Sequence, residues 1–74
     1  MRKPYHRLSP EDRAALRADL KRLMLTPIKH RAMLAELGEK YNLEPTSVYY
    51  NMRQCLGELG FRNRREYMSA EALK

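Results

Sequence analysis

A catalytic or metal-binding site in this chain would have to be built from His6, His30, Cys55 and the nine acidic residues, and their spacing builds neither. The two histidines stand 24 positions apart with no carboxylate pattern around them, which is not the spacing of a zinc ligand set. A single cysteine leaves no intramolecular disulfide and no multi-cysteine metal site, so Cys55 reads as a core residue. No nucleophile with a histidine and carboxylate behind it appears, and no glycine-rich phosphate loop, so the expectation is a protein without catalytic residues, metal or cofactor. What remains is the chemistry of hydrogen bonding and positive charge. Thr46, Ser47, Tyr49, Tyr50 and Arg53 bring four hydroxyls and a guanidinium together within a few positions, and that guanidinium can bind guanine through two parallel hydrogen bonds or hold a phosphate.

The charge balance points the same way. Fifteen Lys and Arg against nine Asp and Glu give a formal net charge of +6, a field that attracts polyanions and makes nucleic acid the first candidate partner. Seventy-four residues make one domain, since a chain this short buries only about 60% of its unfolded surface and cannot support two cores. With one Phe and no Trp, the core must come from Leu, Met, Ala and Tyr, whose bias is helical. No apolar run suits a membrane span and no signal-peptide pattern opens the chain, so the expected location is the cytoplasm, on the nucleoid or in a host cell.

The elements that must position these side chains follow from caps and periodicity. Residues 1–8, carrying Arg2, Lys3 and Arg7 around Pro4, suit a flexible basic arm. Ser9 is placed to cap a first helix with Pro10 at its opening position, and Leu16, Leu20, Leu23 and Met24 form its apolar stripe. Thr26-Pro27 predicts a second helix opening there, with Ile28, Leu34, Leu37 and Tyr41 inward and Met33 on the flank. Asn42 suits a left-handed helix end. Glu44-Pro45 starts a third helix whose inward positions are Val48, Met52, Cys55, Leu56 and Leu59, and Gly60 stops it. Asn63, with Glu66 three residues on, signals a short fourth helix in a basic extension over 61–74. The fold class expected is therefore all-α, a trihelical bundle over 9–60 with a possible fourth helix.

The run Leu37-Gly-Glu-Lys-Tyr-Asn-Leu-Glu-Pro-Thr-Ser-Val-Tyr-Tyr-Asn-Met-Arg53 resembles the helix-turn-helix of bacterial regulators, resolvases and sigma-factor promoter-reading domains. Gly38 is small where two helices approach, Asn42 turns the chain, Leu43 fills the corner, and Val48 and Met52 pack the second helix onto the first. The resemblance implies that Thr46, Ser47, Tyr49, Tyr50 and Arg53 face base edges in the major groove. It departs from the family at Asn42, more often glycine, and at Glu44-Pro45, more often a small polar cap. Residues 42–60 carry Arg53 against Glu44 and Glu58, a net charge of −1, so electropositive surface must come from the flanks. Lys29, Arg31, Arg62, Arg64 and Arg65 are the expected phosphate clamps, with Arg2, Lys3 and Arg7 on phosphates or in the minor groove by analogy with other arm-bearing readers. Five or six such contacts correspond to a log–log salt slope of about −5.

These readings converge on a sequence-selective binder of double-stranded DNA, a small bacterial or phage transcriptional repressor or regulator. Two copies on a palindrome would set recognition helices about 34 Å apart, so a homodimer is the expected assembly. The rival reading is a protein-interaction module on the same scaffold, such as a phage-encoded modulator of host machinery, that presents the same tyrosines to a protein partner.

Overall fold

The computed structural model describes residues 8–74, which form helices α1 (Pro10–Met24), α2 (His30–Tyr41), α3 (Pro45–Leu59) and α4 (Arg64–Ala72) with no strand among the described residues. The all-α expectation holds, and the fourth helix is present. The basic arm with Arg2, Lys3 and Arg7 lies outside the described residues, apart from Leu8, which is buried against the core.

Helix α1 starts as its sequence requires. The Ser9 hydroxyl accepts the Asp12 backbone N–H at 3.1 Å, Pro10 occupies the first turn, and Glu11 and Asp12 face the positive end of the helix dipole. Its stripe of Leu16, Leu20, Leu23 and Met24 is buried throughout, each side chain contributing about 1.5–3 kcal/mol of hydrophobic stabilisation.

Helix α2 begins three residues later than Thr26-Pro27 predicts. The Thr26 hydroxyl donates to the Arg22 carbonyl at 2.9 Å and its N–H donates to the Leu23 carbonyl, so Thr26 closes α1 instead of capping α2. Pro27 then sits in a tight turn in which the Ile28 N–H reaches the Thr26 carbonyl at 2.7 Å. Lys29 becomes the α2 N-cap with no side-chain hydrogen bond. The inward stripe is also rotated from the expected one: Met33, Leu37 and Gly38 are buried, whereas Ile28, Leu34 and Tyr41 pack from the half-buried edge.

Helices α2 and α3 end in the same way. At Asn42 the backbone turns left-handed with φ 55°, its N–H donating to Glu39 and the Leu43 N–H to Gly38. At Gly60, φ is 89°, with Gly60 donating to Gly57 and Phe61 to Leu56. Both are Schellman terminations, in which a left-handed residue lets two N–H groups satisfy carbonyls of the last turn. After the first, buried Leu43 fills the corner between α2 and α3; after the second, the Phe61 ring lies 5.3 Å from that of Tyr67. Val48, Met52, Cys55 and Leu56 form the inner face of α3, while Leu59 is left at the surface.

The fourth helix is fixed by a variant capping box. The Asn63 side chain accepts the Glu66 N–H at 2.9 Å, and the Glu66 carboxylate reaches back past the cap to accept the Arg62 N–H at 2.8 Å. Tyr67, the buried residue of α4, joins the core.

Candidate nucleic-acid interface

Packing fixes which side chains of α3 face outward. With Val48, Met52, Cys55 and Leu56 inward, the helical period places Thr46, Tyr50, Arg53, Gln54 and Gly57 on the opposite stripe, and all five are exposed. Tyr50 retains 67% of its accessible surface, which decides between the two adjacent tyrosines: Tyr50 is the free one. Tyr49 is half-buried on one flank, its ring edge-on to His30 with centroids 6.0 Å apart and the Arg53 guanidinium 6.0 Å from its centre.

The five residues predicted to face a partner are therefore not equivalent. Thr46, Tyr50 and Arg53 share the outer stripe, and Tyr49 borders it. Ser47 lies on the other flank, half-buried, its carbonyl accepting the Asn51 side-chain amide at 2.8 Å. That flank also carries Glu58, which is ion-paired with Arg17 of α1. Gln54 is the residue that sequence reasoning passed over. It stands four positions after Tyr50 and eight after Thr46, and its amide can pair with adenine through two hydrogen bonds.

Beside the stripe runs a groove of about 570 Å³, floored by Met52 and Leu56, with His30, Tyr49 and Arg53 along one side and Arg62 and Arg65 along the other. No carboxylate lines it. Arg62 is tied to Glu66 by a 3.0 Å ion pair at the surface, and that contact, the backbone N–H of Arg62 foremost, holds the Glu66 carboxyl below its ordinary range. Arg65 is exposed and has no ion pair among the described residues.

Arg64 does something else. Its guanidinium donates to the carbonyls of Met24 at 2.9 Å, Thr26 at 2.8 Å and Leu23 at 3.3 Å, so it caps the carboxyl end of α1 and leaves the set of phosphate clamps.

The helix ends differ in charge. The first turns of α1 and α4 hold Glu11, Asp12 and Glu66, whereas those of α2 and α3 hold no acidic residue. The start of α2 instead carries Lys29 and Arg31, cations set against the positive end of a helix dipole with no ion pair among the described residues. This arrangement disfavours α2 in isolation and favours an anion placed against it.

Among the described residues no group of three His, Cys, Asp or Glu side chains converges as a metal site. Nor is any described helix long and apolar enough to cross a membrane. Comparison of the chain with protein-family models, curated proteins and solved structures returned no match.

Proposed function

We propose that the chain binds double-stranded DNA, with α2, the Asn42 turn and α3 working as a helix-turn-helix and α3 lying in the major groove. The observation that carries this reading is the outer stripe of α3, where Thr46, Tyr50, Arg53 and Gln54 stand exposed on a helix whose inner face is locked in the core. Arg53 suits guanine, Gln54 suits adenine, and the hydroxyls of Thr46 and Tyr50 suit base edges or phosphate. Lys29 and Arg31 on one side, and Arg62 and Arg65 on the other, supply the positive charge that α3 lacks.

Binding of the purified protein to a mixed-sequence duplex and to the DNA upstream of its own gene, titrated over salt, tests the proposal. Lys29, Arg31, Arg62 and Arg65 on phosphates correspond to a log–log slope of about −3.6. Preference for the upstream duplex supports a transcriptional regulator, and a repressor is the role we assign. No binding at low salt rejects the proposal. A homodimer belongs to the same reading, because Met68 and Leu73 leave apolar surface exposed on and beyond α4. The exposure of Tyr50 equally supports a protein-interaction module. Weak dependence on salt in complexes captured from a lysate distinguishes that alternative, since an apolar interface releases few counterions.

A further inference from the structure

Gly57 is a glycine that the fold of this chain does not require. It lies within α3, two residues before its end, and its φ is outside the left-handed region, unlike that of Gly60. A Cβ built on Gly57 meets no atom within 4 Å. Alanine would fit there and would favour the helix, because glycine has more backbone freedom to lose on folding. The fold supplies no internal reason for glycine, and an external one would be a body that comes closer to the α3 backbone than a side chain permits.

The position shows where that body lies. Gly57 falls on the outer stripe, four residues after Arg53, three after Gln54 and seven after Tyr50. Its surroundings show the charge. Arg53 is one turn away, Arg62 and Arg65 stand across the adjoining groove, and the neighbouring Glu58 is held by Arg17 on the α1 flank. We infer that duplex DNA approaches α3 most closely at Gly57, so that contact runs along three turns of the helix from Thr46, about 16 Å, instead of ending in the first turn. The inference rests on the duplex-binding reading and adds a point of closest approach at the carboxyl half of α3.

Gly57→Ala and Gly57→Leu in the full chain test it, with thermal unfolding and duplex binding read on the same samples. Expected is a protein stabler than wild type, Tm up by about 4 °C for Gly57→Ala. With it should come affinity for the duplex reduced about tenfold by Ala and about a hundredfold by Leu, as added volume is forced into a filled contact. Raised Tm with unchanged affinity in both variants overturns the inference and leaves the duplex-binding reading standing. A lowered Tm for Gly57→Ala overturns it by revealing an internal role for the glycine. Failure of the wild-type protein to bind any duplex removes both.

Discussion

The Tyr41 hydroxyl donates a 2.7 Å hydrogen bond to the same Asp19 oxygen that accepts from Lys40 Nζ at 2.8 Å, so one carboxylate on α1 ties down the last turn of α2. The Lys40 ammonium, helped by the Tyr41 hydroxyl, holds the Asp19 carboxyl below its ordinary range against the opposing effect of burial. That stabilisation is complete above about pH 4 and is lost as pH falls through the lowered folded value. Asp19→Asn should therefore unfold with less dependence on acid below about pH 4 than wild type, in denaturant titrations at a series of pH values. Burial first, and then the bond and charge of Asp19, push Tyr41 up to about 12. Its contribution is complete below about pH 10 and disappears as pH rises towards 12. Tyr41→Phe should cost about 1–2 kcal/mol at neutral pH, a deficit that narrows in the alkaline range.

Arg64 and Arg65 are adjacent in sequence and opposite in consequence. Arg64→Ala removes three hydrogen bonds to the end of α1 and should destabilise the protein by about 2–3 kcal/mol. Lysine should not rescue it, because an ammonium lacks the planar fork that serves several carbonyls at once. A Tm for Arg64→Ala equal to that of wild type would contradict the capping role.

Arg65→Ala should leave Tm unchanged and reduce the steepness of the salt dependence by about one unit, as should Lys29→Ala and Arg31→Ala. An unchanged slope for all three would place the duplex elsewhere on the molecule.

On the outer stripe, Arg53→Ala and Gln54→Ala should each lose about 1–3 kcal/mol of discrimination between a preferred and a mixed-sequence duplex. Ser47→Ala, on the half-buried flank, should change it little. Equal effects at Ser47 and Gln54 would mean that α3 meets its partner with a different side.

Cys55 is buried, and burial pushes its thiol up from its ordinary range, with Lys21 and Arg17 opposing weakly. At neutral pH the folded protein should resist maleimide labelling and react only on unfolding. Rapid labelling under native conditions would show that the face of α3 against the core opens readily.

Much of the fold was legible in the sequence because its signals are local. Ser9-Pro10, Asn42, Gly60 and Asn63 with Glu66 each announce a helix end through their own backbone or side-chain chemistry, and all act where expected. Thr26-Pro27 misled because threonine can cap a following helix or bond back to a preceding one, and the acceptor at Arg22 settles the choice. Arg64 was unreadable for a different reason. Its acceptors lie 38 to 41 residues away, and nothing in Arg62-Asn-Arg-Arg65 distinguishes the arginine that turns inward from its neighbours. Ser47 and Gln54 are separated by the helical period, since Gln54 falls on the stripe of Tyr50 and Ser47 does not; nearness to the start of α3 favours Ser47, whereas phase favours Gln54.

The Arg64 cap also ties α4 to the rest of the molecule at one place, the end of α1 and the turn at Thr26. Amide exchange should accordingly find α4 opening before the other helices, as a separate unit of low local stability. Arg62 and Arg65 flank the pinned residue, and each such opening would withdraw two cations from the groove together, making the lifetime of a bound polyanion a property of how often the last helix lets go.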